Sequence, residues 1–370
     1  MTPVTPSASE MERAARALQS GELVAFPTET VYGLGADADQ DASVEHIFKL
    51  KGRPNNHPLI VHICSLQDVD HYAQEVPAFA KTLMARFWPG ALTLILPKRP
   101  GVAQAATALS PSIGLRWPSH PVALALLRQA RTLGVHGVAA PSANRFGRVS
   151  PTRAAHVRSE FGPDLWVLDG GDCDIGIEST IVDCTRGVPI VLRPGQIDQQ
   201  ALEAALDQPV LRQEELDLVS LKTDPAHLIA PKASGTLASH YAPRARLRLM
   251  EAAQMAHELK EWRPPSSPQP FGETPPTLGV WARDSALQET PHPSGLLFQA
   301  MPSTPQACAH ALFATLRDFD DSGVAEIWIE SAPSGVSWAG VADRLRRASH
   351  VPAEPSQSAV KLSGTTGVAQ

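Results

Sequence analysis

The chain has 370 residues, 43% of them hydrophobic and 19% charged, with a formal net charge of −6. This length exceeds what one compact core holds and suits two domains of ordinary globular composition, which excludes a disordered or collagen-like chain. The negative balance argues against a protein whose main task is wrapping nucleic acid, while leaving room for a local basic patch. Cys64, Cys173, Cys184 and Cys308 have no C-x-x-C spacing, so free thiols in a reducing compartment are expected. No apolar run reaches the ~18 residues of a membrane-spanning helix. Met1 to Glu10 lacks a signal-peptide core, and a cytoplasmic location without membrane attachment follows as the expectation.

In chain order, Met11, Ala14, Ala15 and Leu18 share one face of a helix over Ser9–Ser20, with Gly21 as its stop. Leu23 to Phe26 is a strand halted by Pro27. Ser43 is the predicted cap of a helix over Val44–Leu50. Pro58–Ile63 is a second buried strand, Val76–Arg86 a helix, Ala91–Leu96 a strand and Gly114–Trp117 a short extended piece. A helix with proline near its start covers Pro121–Arg131. Gly137–Ala140 is a strand. Ser150 then reads as the cap of a helix over Arg153–Glu160. Strands at Trp166–Asp169, Ser179–Asp183 and Pro189–Arg193 complete an α/β (α+β) unit, a twisted mixed sheet with helices packed against it. Residues 1–210 form this unit. Residues 211–244 read as a linker. Residues 245–350 form a small α/β domain with strands at 246–250, 278–281 and 325–330 and helices up to Trp262, over 303–318 and over 340–348. Residues 351–370 read as a tail.

The stretch Leu23–Asp37, LVAFPTETVYGLGAD, crowds Thr28, Glu29 and Thr30 at the end of a buried strand, where loops carry function. Its counterpart LKGRPNNHPLIVH sets Lys51 and Arg53 in a Gly/Pro turn before another apolar strand. Two apart in an extended turn, the two cations are expected to point the same way, arginine as a rigid fork for phosphate oxygens and lysine as a mobile point charge. Ser142 and Asn144 straddle Ala143 at a strand end and suit a phosphate or ribose; simple turn chemistry is the alternative. The helix after Ser150 offers free N–H groups to an anion. Arg116, between Leu115 and Trp117, is costly unless paired; a ligand carboxylate, Glu29 and Glu178 are all candidate partners. Together these features suit a polyphosphate and a small zwitterion. No GxxxxGK[ST] loop and no His/Cys metal spacing occurs.

FPTETVYGLGADA, KGRPNNHPLIVHI, FWPGALTLIL, GLRWPSHP, APSANRFGRVSPT, IESTIVDC and VLRPG, in this order, resemble the YrdC-like family of threonylcarbamoyl-AMP synthases from about Glu10 to Gln199. SHYAP at Ser239–Pro243, followed by a small Rossmann-like α/β unit, is similar to the long two-domain form. The resemblance implies a nucleotidyltransferase that joins L-threonine, bicarbonate and ATP, with Mg2+ carried by the nucleotide, into threonylcarbamoyl-AMP and pyrophosphate. A separate machinery would pass the group to tRNA. Lys51 and Arg53 are then the catalytic cations. Arg53, His57, Ser112, Ser142, Asn144, Ser150, Arg193, Ser239, His240 and Tyr241 take ATP. Thr28, Thr30, His62, Arg116, Ala140 and Ser179 form the threonine pocket. His240 and Tyr241 are expected in a lid whose arm is Lys232–Ala238, with docking of the linker on its own domain as the alternative. No protein-held metal site is expected. The competing readings are an RNA- or nucleotide-binding module without catalysis, which allows a weak tRNA or double-stranded RNA contact, and a carbamoyl-transferring enzyme that uses carbamoyl phosphate.

Overall fold

The computed structural model describes residues 5–213, 215, 230–237, 239–264, 278–284, 287–288 and 295–350. The predicted tail, part of the predicted linker and part of the stretch between Trp262 and the strand at 278–281 lie outside these. The first unit is a ten-stranded mixed sheet. In chain order it comprises α1 (Ala8–Gln19), β1 (Val24–Phe26), β2 (Gly33–Asp37), α2 (Asp41–Lys51), β3 (Ile60–His62), α3 (Leu66–Tyr72) and α4 (Ala78–Phe87). There follow β4 (Leu92–Pro97), β5 (Ser112–Arg116), α5 (Pro121–Thr132), β6 (Val138–Ala139), α6 (Ala154–Phe161), β7 (Trp166–Val167), β8 (Thr180–Asp183), β9 (Ile190–Arg193), α7 (Gln199–Leu206) and β10 (Leu211–Arg212). The spatial order is β10-β9-β8-β4-β5-β3-β6-β2-β1-β7, with parallel and antiparallel pairs mixed.

The alternation of strand side chains divides the core. Val24, Phe26 and Val138 point into the cluster under α1 and α5, whereas Ala25 and Ala139 between them point into the larger cluster with α2 and α4. A sheet covered on both faces needs apolar residues at every strand position, which is why these strands read as continuous runs.

Several local expectations are corrected. Gly33–Asp37, outside the predicted strands, is itself a strand paired with β1. Ser43 does not cap its helix: α2 starts earlier, at Asp41, and Ser43 lies inside it, its hydroxyl donating to Gln40 Oε1 (3.2 Å). Ser150 does not cap α6 either, because Arg153 holds that position and the Ser150 hydroxyl is bonded elsewhere. Leu211 and Arg212, read as linker, pair with β9 as an edge strand.

The second unit is a four-stranded, wholly parallel sheet in the order β11-β14-β12-β13. Its elements are β11 (Arg246–Met250), α8 (Ala252–Glu261), β12 (Leu278–Ala282), β13 (Leu296–Ala300), α9 (Pro305–Asp321), β14 (Glu326–Glu330) and α10 (Ala339–Ala348). Thr304 caps α9 by accepting from Ala307 N–H, with Pro305 in the first turn. One apolar cluster joins the two units: Val31, Val149 and Ile177 of the first pack with Tyr241, Phe313, Trp338 and Val341. Ion pairs flank it, Arg148–Asp320 at 3.2 Å and Arg317–Glu160 at 3.0 Å.

Candidate active site

A pocket opens where several strands of the first sheet end, under the segment that leads to the second unit. Its wall includes Thr28, Arg53, His62, Arg116, Ala140, Ser142, Glu178, Ser179, Arg193, Ser234, Gly235, His240 and Tyr241. Strand pairing explains the convergence. β3 runs parallel to β5 and sets His62 opposite Arg116. β8 and β9 are antiparallel and bring Arg193 back over Ser179.

At the floor, Arg116 Nη2 meets Glu29 Oε1 at 2.7 Å and Nη1 donates to Thr30 Oγ1 at 2.9 Å. The Thr30 and Thr28 hydroxyls lie 2.8 Å apart, and Thr28 Oγ1 donates on to the Val31 carbonyl at 2.7 Å. Of the partners open to Arg116 from sequence, Glu29 is the one it takes within the chain. Burial raises the Glu29 carboxyl, but the Arg116 guanidinium and backbone N–H donors, that of Ser119 among them, together hold the group below its ordinary value. His62 is pushed down to about 3 by burial and by Arg116, so it is neutral in the folded protein. Its ring stands edge-on to Phe26, and its Nδ1 has no partner.

The opposite wall carries two further guanidiniums. Arg193 donates to the Ser179 carbonyl (3.0 Å), the Ser179 hydroxyl (3.1 Å) and the Ser234 carbonyl (2.8 Å). Ser179 Oγ also lies 2.7 Å from Thr93 Oγ1, a buried contact that only the pairing of β4 with β8 reveals. Arg53 Nη2 donates to the Pro58 carbonyl at 3.1 Å, and its Nε is buried without a partner. Burial lowers both arginines to about 10, which leaves them charged at neutral pH. Among the described residues neither has a carboxylate within ion-pair distance.

Lys51 departs from expectation. It is the last residue of α2, and Gly52 follows in the left-handed conformation (φ 63°), so Lys51 and Arg53 do not project alike from an extended turn. Lys51 Nζ donates to the Ser142 carbonyl at 2.6 Å and to the Asn144 carbonyl, supporting that loop from behind the pocket wall. Burial, then Arg53, lowers it well below the ordinary lysine value.

Of the other predicted residues, Asn144, Ser150, Ser112, His57 and Ser239 lie around the pocket, while His240 and Tyr241 are in its wall. Asn144 Nδ2 donates to the Arg145 and Arg148 carbonyls, and its Oδ1 is unpartnered. Ser150 donates to Glu178 Oε1 at 2.5 Å. Ser112 lines a small adjoining cleft with Lys232 and Ser234. The half-buried His57 ring packs 5.7 Å from that of Phe146. Ser239 donates to the His350 carbonyl at 3.2 Å. His240 and Tyr241 are buried; burial lowers His240 to about 3 and raises Tyr241, whose hydroxyl has no partner. The wall also holds Glu178, expected only as a possible partner of Arg116, and Ser234 and Gly235, expected only as part of the lid arm Lys232–Ala238.

The matches to known proteins agree with this geometry. Residues 16–195 match the family model of the Sua5, YciO and YrdC proteins, described as telomere recombination, and residues 197–350 match "Threonylcarbamoyl-AMP synthase, C-terminal domain". The threonylcarbamoyl-AMP synthase of Bacillus subtilis is 36% identical over 92% of each chain. The chain belongs to the threonylcarbamoyl-AMP synthase family, in its two-domain Sua5 form. The Schizosaccharomyces pombe synthase is 32% identical over 94% of this chain and 90% of its own. The structure of Pyrococcus abyssi Sua5 complexed with L-threonine superposes with a TM-score of 0.77 at 33% identity, covering 94% of this chain and 96% of that one. The expected fold class, a YrdC-like mixed sheet followed by a small α/β unit, and the expected enzyme family both hold.

Proposed function

We propose that this chain forms threonylcarbamoyl-AMP and pyrophosphate from L-threonine, bicarbonate and MgATP, in the cytoplasm, for later transfer to tRNA by separate machinery. The observation that carries the reading is the pocket itself: buried Arg53 and Arg193, with no carboxylate in ion-pair distance among the described residues, face the same space as Arg116 and the hydroxyls of Thr28, Ser142 and Ser179. Buried charge is retained only where a counter-charge repays its desolvation, and phosphates are such counter-charges. The threonine complex of the Pyrococcus protein supports threonine as the zwitterion.

In this reading Arg116, oriented by Glu29, takes the threonine carboxylate. Thr28, Thr30, His62, Ala140 and Ser179 surround the rest of the amino acid. The amine, having lost its extra proton, adds to the carbon of CO2 with release of a proton, or to that of bicarbonate with loss of water, and yields a carbamate. A carbamate oxygen then attacks the α-phosphorus, and the bond to the leaving pyrophosphate breaks. Arg53 and Arg193 receive the phosphates, with Ser112, Ser142, Asn144 and Ser150 around the nucleotide. Lys51 serves through the loop it supports, not as a free cation. Magnesium enters on the nucleotide; among the described residues no group of three or more His, Cys, Asp or Glu side chains could hold an ion. Residues 1–210 are the catalytic domain, 211–244 the linker and lid with Ser239, His240 and Tyr241 on the nucleotide side together with His57, and 245–350 the accessory domain.

The test is pyrophosphate release from ATP with purified protein. Release is expected only when threonine and bicarbonate are both present. Phosphate release from carbamoyl phosphate, or pyrophosphate release indifferent to threonine, would overturn the reading.

A further inference from the structure

Glu178 poses an electrostatic problem. It is 7% exposed and lines a pocket built for anions, where an uncompensated carboxylate would repel the ligand. Its compensation comes from the other unit. Arg344, on α10, is fully buried. Its Nε donates to Glu178 Oε2 at 2.9 Å, Nη2 to the Glu178 carbonyl at 3.2 Å and Nη1 to the Pro194 carbonyl at 2.7 Å. One guanidinium therefore fastens the two segments that bear Ser179 and Arg193. Beside it Asp343 pairs with Arg344 and with Arg347 at 3.0 Å each. Arg347 in turn donates to the Leu237 carbonyl and accepts from His240 N–H through its own carbonyl (3.3 Å), holding the segment over the pocket. The Arg344 guanidinium also stands 5.5 Å from the centre of the Tyr241 ring.

We infer that Arg344 of the C-terminal unit is a positioning residue of the active site, which sets Ser179 and Arg193 and neutralises Glu178, so that the pocket is complete only when the two units are docked. This rests on the proposed function for its assay. A ring of donors with this geometry is specific to arginine: lysine supplies the charge but cannot reach all three acceptors at once. Displacing positioning groups by about an ångström typically costs on the order of 10²-fold in rate.

The experiment uses the full chain in three variants. Arg344→Lys keeps the charge. Arg344→Met with Glu178→Gln removes both members of the buried pair and leaves no unpaired charge. Arg346→Ala, on the same helix at an exposed position paired with the rim of Asp343, is the control. Thermal midpoint, threonine affinity by calorimetry and pyrophosphate release are measured on each. The double variant is expected to melt near wild type yet to lose roughly tenfold or more in threonine affinity and in kcat/KM, of the kind misplacement produces. Arg344→Lys should show the same loss, and Arg346→Ala none. A merely structural pair would be rescued in the double variant. Wild-type affinity and turnover in that variant, or in a folded Arg344→Lys should the double variant not fold, overturns the inference. Absence of pyrophosphate release from the wild-type protein would instead count against the proposed function, while the threonine calorimetry would still decide the role of Arg344.

Discussion

Three arginines in one pocket have different electrostatic settings, and the difference predicts different behaviour on removal. Arg116 has Glu29 at 2.7 Å, and both are nearly inaccessible. Arg116→Ala would leave a buried carboxylate without its counter-ion, a change that typically costs about 3–5 kcal/mol. Arg53 donates to carbonyl and hydroxyl oxygens and stands 5.7 Å from the centre of the Phe146 ring, with no carboxylate in ion-pair distance among the described residues, so its removal strands none of their acids. Arg53→Ala is expected to keep or slightly raise the melting temperature while turnover drops by about 10²–10³, the usual loss of a preorganised charge at a transition state. Arg116→Ala is expected to lower the melting temperature clearly. Thermal scans and initial rates on both variants check this; equal melting behaviour, or wild-type turnover in Arg53→Ala, would contradict the assignment. From sequence these residues were conspicuous because charge beside apolar strand residues is unusual. What each touches was not legible, since Arg116 meets Glu29 across 87 residues of chain and Arg193 meets Ser234 across 41.

At the scale of elements, the segment from Lys232 to Tyr241 decides how the pocket is covered. Tyr241 holds φ at 63°, which is unfavourable for a large side chain, and its ring is gripped by Phe313 at 5.3 Å. Such a conformation persists only where its surroundings over-determine it. Gly235 also has a left-handed φ, +76°, and a Cβ there would come within 2.6 Å of the Tyr241 hydroxyl and 2.8 Å of Arg193 Nη1. Gly235→Ala therefore strains the backbone and pushes on two pocket groups at once. It is expected to reduce kcat/KM for ATP by at least about tenfold. Steady-state kinetics over ATP concentration would show it; an unaltered kcat/KM would mean that the segment does not bear on the nucleotide. His240 and Tyr241 of SHYAP, expected in a lid, are both buried against other elements. The strands at 24–26, 246–250 and 326–330 were legible because apolar runs bounded by prolines or polar residues have one good solution. The strand at 33–37 was hidden by its glycines, and α7 by its shortness. Ser43 and Ser150 show the limit of cap rules: α2 starts at Asp41 and α6 at Ala154, so Ser43 lies inside one helix and Ser150 three residues before the cap position Arg153 of the other.

For the whole molecule, three of the buried histidines, His62, His156 and His240, link stability to acidity most strongly. His62 sits in the pocket, His156 in α6 and His240 under the second unit. Burial, with Arg116 next to His62 and Arg317 and Arg153 next to His156, lowers each to about 3. Geometry agrees for His156, whose Nδ1 accepts from Thr152 N–H (3.2 Å) and must be unprotonated to do so. Each histidine takes up its proton near pH 6.5 when unfolded but only near 3 when folded. The unfolded chain thus binds more protons throughout that interval, and stability falls as pH falls. It is fully present above about 6.5 and declines by about 1.4 kcal/mol per pH unit for each histidine once well below it. His57, His120 and His136 shift in the same direction. Near the carboxylate range Glu29, Glu178 and Asp343, held down by their arginines, steepen the decline, while Asp37 and Asp318, raised by burial, oppose it. Between pH 6.5 and about 5 the histidines dominate, so urea unfolding should show a marked loss of stability there. His156→Gln, far from the pocket wall, removes one proton from the balance and should make that decline shallower by about 1.4 kcal/mol per pH unit. A stability flat from pH 7.5 to 5, or a slope unchanged in His156→Gln, would show that these histidines are accessible to protons in the folded chain, and that the two units open far more readily than the buried ion pairs between them imply.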